Sequence, residues 1–267
     1  MSFLFAFYAF ALGAIVGSFL NVVIHRYPRE ESLVSPPSRC PVCLGEIRWF
    51  DNIPIVSWIV LRGRCRKCNS PISSRYPLVE LANALFFLAL YLRTGLSPGF
   101  LPVAAILSMT IVLIYIDLDI QILPDVIDLP GIGIGMVIGA LGLGSLHPQL
   151  TLSSSLLDSV IGALVGAGFL LSMALAYRLV RKSEGMGLGD VKMLAMIGAV
   201  VGWQAVIPLL FIASLVGAAF GISLGIRRGE GLKAAIPFGV FLGLATFVVI
   251  FFGPALVAWW YRTLTVV

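Results

Sequence analysis

Charge is scarce in this sequence. Only 12% of its 267 residues are Asp, Glu, Lys or Arg, whereas 59% are hydrophobic. A soluble domain carries about 25% charged residues, so the composition excludes a water-soluble globule. Histidine is scarcer still, with only His25 and His147 in the chain. Cysteine occurs four times, always within one polar stretch. No basic segment precedes the first apolar run, which therefore reads as a retained membrane helix rather than a cleavable signal. A nucleotide-binding glycine loop is also lacking. Gly131-Ile132-Gly133-Ile134-Gly135 lies inside an apolar run with no strand before it, so helix packing through small residues is the better reading.

What the sequence does have is long apolar runs, with a mean hydropathy of +1.02. Runs of roughly 17–25 residues can cross a bilayer, and helices satisfy their own backbone while crossing. The expected fold is an all-α polytopic membrane protein of about eight transmembrane helices. The spans fall near 3–24, 77–93, 99–116, 125–145, 156–177, 188–202, 204–226 and 236–260. The alternative is seven spans with one bent segment, because the turn near Trp203 is tight. Three regions follow: 1–24, the first helix; 25–76, a polar loop domain; and 77–267, the helical catalytic domain.

Basic residues give the orientation. Nine Lys/Arg lie between the first two spans, from Arg26 to Arg75. Arg178, Arg181, Lys182 and Lys192 surround the loop before span six, and Arg227, Arg228 and Lys233 precede span eight; only Arg93 and Arg262 fall on the other side. The positive-inside rule makes the first side cytoplasmic and places both termini outside. The formal charge of +5 thus reports topology, and no nucleic-acid partner is expected. The two histidines then lie on opposite sides, which argues against a Ser–His or Cys–His hydrolytic site.

The four cysteines read Cys40-Pro-Val-Cys43 and Cys65-Arg-Lys-Cys68, two knuckles separated by 21 residues. Four thiolates so arranged can enclose one tetrahedral zinc, which closes a loop too small to build its own core. The role is structural, since four protein ligands leave no open position. Arg39, Arg64, Arg66 and Lys67 are expected to help keep the thiolates deprotonated. Disulfides, reduced thiols and an iron–sulfur cluster are the alternatives, and a cytoplasmic location disfavours the first.

A carboxylate in hydrocarbon costs roughly 2.5–3.5 kcal/mol on insertion scales, so each one is a functional hypothesis. Asp117 ends the third apolar run, flanked by Ile116 and Leu118. Asp190 follows the glycine-rich Gly185-Met186-Gly187-Leu188-Gly189. The topology brings both acids to the cytoplasmic face although 72 residues separate them. Two such carboxylates can share a proton, one acting as base and the other as acid toward a water attacking a peptide carbonyl. Asp119 is offset from Asp117 and faces another side of the helix. Asp125, Asp128 and Glu80 read as helix-start acids that favour the macrodipole.

These residues together resemble the bacterial prepilin peptidases. Gly185–Asp190 is similar to the G-x-G-D element of intramembrane aspartic proteases, and Asp117 through Asp125 to the family's Asp-x-Asp…Leu-Pro-Asp element. Gly17 through Arg26, Asn52-Ile53-Pro54, Tyr76 through Glu80, Pro237-Phe238-Gly239 and the two cysteine knuckles follow the family pattern in order. The resemblance implies an inner-membrane enzyme with Asp117 and Asp190 as catalytic pair. It would cleave the leader from type IV prepilins or pseudopilins at the cytoplasmic face. It also implies N-methylation of the new terminus with S-adenosylmethionine, with Gly63 at a position linked to methyl transfer. Ile120 and Val240 depart from the pattern, where many members have His and Pro. The alternatives are a peptidase without methyl transfer, an ion-coupled transporter and a zinc-dependent adaptor. A transporter calls for midplane acids and internal repeats, which are not apparent here, and an adaptor leaves Asp190 unexplained. Oligomeric state is not legible.

Overall fold

A computed structural model describes residues 2–181, 187–228 and 237–265. Gly185 and Met186 of the glycine-rich motif, and Lys182 and Lys233 of the basic pattern, lie outside the described residues. The chain forms two compact units, Met1–Phe100 and Leu101–Val267. Ten helices are described: α1 (Ser2–Arg26), α2 (Val56–Val60), α3 (Arg75–Thr94), α4 (Phe100–Ile120), α5 (Asp125–Ala140), α6 (Leu143–Leu146), α7 (Leu156–Arg181), α8 (Leu188–Val201), α9 (Trp203–Arg228) and α10 (Phe238–Thr265). No strand occurs among the described residues.

Each of the eight expected spans is a helix, and six of them are long and apolar enough to cross a membrane. The two short ones are α5, with 16 residues, and α8, with 14. At 1.5 Å per residue they reach about 24 and 21 Å, less than the roughly 30 Å hydrocarbon core. Span four stops at Ala140 rather than near 145 because Gly142 takes a left-handed conformation (φ 62°) and starts the separate turn α6. Gly202 (φ 79°) breaks α8 from α9 in one residue, so the tight turn near Trp203 separates two helices instead of bending one.

In the first unit α1 and α3 run antiparallel, paired at Asn21–Tyr76, Gly17–Glu80 and Gly13–Ala84. A Cβ on Gly13 or Gly17 would sit 2.8 or 2.7 Å from a Cα of α3, so the small-xxx-small pattern sets the helix distance. The Asn83 amide, fully buried, donates to the Gly13 carbonyl at 2.7 Å.

In the second unit α8 is the axis. From Val191 to Val201 all but Lys192 are buried, so its short backbone is enclosed by protein and need not meet lipid. Neighbouring helices approach it through glycine: Gly162 of α7 against Gly198, Gly166 against Leu194, Gly135 of α5 against Ala199. On the outside, Leu164, Phe169 and Leu179 of α7 and Ile207, Phe211 and Leu215 of α9 are exposed. Such a surface is a liability in water and ordinary against acyl chains.

These approaches make a contrast in glycine substitutions. Gly162→Ala would place its Cβ 2.1 Å from the rigid Gly198 carbonyl oxygen, whereas Gly133→Ala meets nothing within 4 Å. We expect the first to destabilise by about 1–3 kcal/mol, as overpacking does, and the second to gain about 0.5–1 kcal/mol of helix propensity. Thermal unfolding in detergent checks both signs.

Candidate active site and metal centre

The second unit gathers its acids at one end. Asp117, in the last turn of α4, is only 4% exposed, whereas Asp119 two residues on is exposed. The Val240 N–H donates to Asp117 Oδ2 at 3.1 Å, so the carboxylate lies against the N-terminus of α10, where the helix dipole and free N–H groups favour it. Gly239 makes this approach fit, since a Cβ there would sit 2.8 Å from Asp117 Oδ2.

Asp190 lies in the first turn of α8, half-buried and close enough to Asp117 for their charges to interact. Leu123 holds the two helix starts together. Cβ atoms built on Gly189 and on Gly239 would lie 2.9 and 3.1 Å from it. The chain reaches Leu123 by a tight reversal after α4: Gln121 is left-handed (φ 55°), its N–H donates to the Asp117 carbonyl at 2.9 Å, and Pro124 then caps α5. Proximity of this sort is what an acid–base pair requires.

Two neighbours divide differently from the sequence expectation. Asp125 is exposed and forms an ion pair with Lys192 at 2.6 Å, which contributes little at such a surface. Asp128 is not a solvated helix-start acid. It is 0% exposed, and neither carboxylate oxygen has a hydrogen-bond partner. Asp125, Lys192 and Asp190 are the charged groups around it. The signal lay in periodicity: Asp128, Gly131, Gly135 and Ile138 share the buried face of α5. Asp158 was also not singled out. Its carboxylate accepts from the Ser154 N–H at 2.9 Å and faces Gly202, fixing the α8–α9 turn at the opposite end of α8. A cavity of about 260 Å³ lies there, lined by Asp158, Thr151, Pro148 and Pro254.

The first unit brings the four cysteines together. Their Sγ atoms all lie within 4.8 Å of one another, and Cys40 and Cys68 are 3.8 Å apart. A tetrahedron of metal–sulfur bonds of about 2.3 Å has edges of about 3.8 Å, so the cluster can hold a metal ion. Each knuckle is built alike: Cys40 N–H to the Gly45 carbonyl and Cys65 N–H to the Ser70 carbonyl, with Leu44 (φ 54°) and Asn69 (φ 57°) at matching left-handed positions. The Cys40 thiol is pulled down to about 6, chiefly by the Cys43 N–H and then by the Ser70 hydroxyl, against the opposing effect of burial. At Cys40 backbone donors thus do what was expected of the basic side chains, whereas the Cys43 thiol, despite the Gly45 N–H that favours its thiolate, is pushed up to about 11 by burial and the neighbouring cysteines. Arg66 is turned to Asp51 at 2.6 Å and lies over the Phe50 ring, while Lys67 packs across Gly45 beside Cys43.

Gly63 is buried with φ 65°, and a Cβ there would meet the Trp58 indole at 2.9 Å. Its N–H donates to the Trp58 carbonyl, and its carbonyl accepts from Ile72 N–H. This geometry alone demands glycine.

Comparison with known proteins agrees with the geometry. Residues 11–94 match the bacterial peptidase A24 N-terminal domain, and residues 104–222 match the type IV leader peptidase family. The chain is 40% identical to a prepilin leader peptidase/N-methyltransferase of Aeromonas hydrophila, over 94% of this chain and 92% of that protein. Proteins of the same name from Pseudomonas aeruginosa and Myxococcus xanthus are 37% and 41% identical, over 91% and 85% of this chain and 88% and 65% of theirs. No solved structure matches. The chain belongs to the type IV leader peptidase family.

The sulfur cluster predicts one bound metal ion per chain by elemental analysis of the purified protein. Cys40→Ser and Cys65→Ser should each lose it. Full metal content in both variants would contradict a four-thiolate site.

Proposed function

We propose that this family member cleaves the N-terminal leader from type IV prepilins or pseudopilins at the cytoplasmic face of the inner membrane. Asp117 and Asp190 act as its catalytic pair, and the new N-terminus is then methylated. The observation that carries the reading is the meeting of two carboxylates, from α4 and α8, at one end of the second unit. They share one proton, as neighbouring carboxylates do. The ionised member takes a proton from water as its oxygen bonds to the scissile carbonyl carbon. The protonated member gives its proton to the carbonyl oxygen. Collapse of the tetrahedral species then breaks the C–N bond, and the departing amine takes up a proton. Val240 N–H holds one Asp117 oxygen, so this member of the pair is oriented before water and substrate arrive.

The metal of the loop domain is zinc in this reading, bound by Cys40, Cys43, Cys65 and Cys68. Spacing, tetrahedral edge length and a cytoplasmic location support it. It orders the loop and enters no chemical step. Methylation uses S-adenosylmethionine as donor, a reading supported by the resemblance and by the relatives' name. Gly63 is the position carried for it, and its strict backbone geometry means that a substitution there acts through the turn at Trp58.

Cleavage of a reconstituted prepilin by wild type, Asp117→Asn and Asp190→Asn tests the pair. We expect both variants to insert, keep their melting behaviour and lose turnover; turnover retained in either would refute the dyad. Labelled methyl donor in the same reaction separates the two activities, because a cleaved but unlabelled product leaves a peptidase alone.

Gly239→Ala probes the placement of Asp117. Its new carbon would push the carboxylate from the α10 N-terminus, and a shift of about 1 Å typically costs roughly 10²-fold in rate.

A further inference from the structure

Three segments that follow the family pattern take no part in the aspartate chemistry: the end of α1, Asn52-Ile53-Pro54, and the start of α3. The fold of the first unit brings them to one point. Glu80 is buried on α3, where the Ser18 hydroxyl and the Ile55 N–H both donate to its carboxylate, the latter at 2.7 Å. Gly17 lies directly against the Glu80 backbone.

That point is deep. Gly17 lies eight residues before His25, where the polar end of α1 begins, and Glu80 lies five residues after Arg75, which opens α3. At 1.5 Å per residue these are about 12 and 8 Å. The headgroup zone on each side of a bilayer is roughly 5–7 Å thick, so Glu80 and the Ile55 N–H it holds lie at or below the edge of the hydrocarbon. Phe19 and Leu78, at the same level on α1 and α3, are exposed as lipid-facing residues are.

The loop that reaches this depth is built for it. Pro54, Ile55 and Val56 form a γ-turn with φ 64° and ψ −52° at Ile55, a strained form for a β-branched residue, closed by the Val56 N–H on the Pro54 carbonyl at 2.6 Å. The Ile53 N–H is met by the Ser57 hydroxyl, which itself donates to the Phe50 carbonyl. The Trp58 indole N–H donates to the Ile72 carbonyl. These donors are therefore satisfied without water, as irregular backbone at membrane depth requires. On the outer side of α2, Val56, Ile59 and Val60 project unpartnered, the last two 62% and 68% exposed. Exposed Arg62 and Arg64 follow at once, placed to reach anionic headgroups.

We infer that residues 53–61 form a re-entrant segment, inserted from the cytoplasmic side into the lipid beside α1 and α3, with Val56, Ile59 and Val60 against acyl chains. The metal loop is thereby held to the membrane at a fixed depth, with Glu80 as its anchor. The occupant of the apolar face is lipid, because its level is set by Glu80 and Gly17 and basic side chains border it on the headgroup side.

Full-length protein in phosphatidylglycerol-containing nanodiscs, carrying a photoreactive benzophenone residue at position 59, 19 or 34, provides the test. Position 19 reports lipid. Position 34 reports water, since Val34 lies in the loop that Arg26 ties down at the polar end of α1. We expect position 59 to give phospholipid adducts at the level of position 19 and several-fold above position 34. Adducts no greater than at position 34, or adducts to protein, whether an added prepilin or the chain itself, would overturn the inference. Hydroxyl-radical footprinting of the unmodified protein covers the case of a misfolded variant. Ile59 and Val60 should be protected in nanodiscs while Val34 is oxidised, and equal oxidation of the three would also overturn it.

Discussion

Leu123 touches the places where Gly189 and Gly239 would carry side chains. A Cβ on Gly189 would press on the Leu123 Cβ and shift the start of α8 that carries Asp190, and one on Gly239 would crowd the Leu123 side chain and the Asp117 carboxylate beside it. The end of the second unit that carries Asp117 and Asp190 is packed around this one apolar side chain between two glycines. It also explains why a reversal at Gln121 follows α4 so closely: without it Leu123 could not turn back beneath the carboxylate it helps to position. The same device recurs along α8, where Gly162, Gly166 and Gly135 let three helix backbones close on a short axis. In lipid there is little hydrophobic drive to press helices together, so close van der Waals packing must supply it.

Burying acids is costly, and the structure offsets that cost unevenly. Asp117 receives a backbone N–H at a helix start, and Glu80 an N–H and a hydroxyl. Asp128 receives none of these. A buried acid without a partner opposes stability by about 1–3 kcal/mol, so Asp128 adds a local cost at the end of the unit that carries Asp190.

Much of this was legible in the sequence because the bilayer is a severe constraint. Apolar run length placed all eight helices, and the cost of intramembrane carboxylates singled out Asp117 and Asp190 as candidates, two acids that the fold brings to one end of the second unit. The cysteine spacing predicted the sulfur cluster. What stayed hidden depends on side chains meeting across helices. Asp128 shares its first-turn position with Asp125, yet one faces α8 and the other solvent, which only the buried stripe through Gly131 and Gly135 distinguishes. Glu80 reads as a helix-start acid until Ile55 is brought to it from 25 residues away. Arg66 sits between two cysteines in sequence and still turns toward Asp51.

The central claim is that two carboxylates activate water directly, with no covalent bond between enzyme and leader. Trapping with hydroxylamine during prepilin turnover tests it most directly. The account predicts that every released leader ends in a free carboxylate and that no hydroxamate forms at any hydroxylamine concentration the enzyme tolerates. A leader hydroxamate, or a leader–protein adduct in the intact mass of the enzyme, would reveal an acyl intermediate on a serine, cysteine or threonine and contradict the aspartate pair.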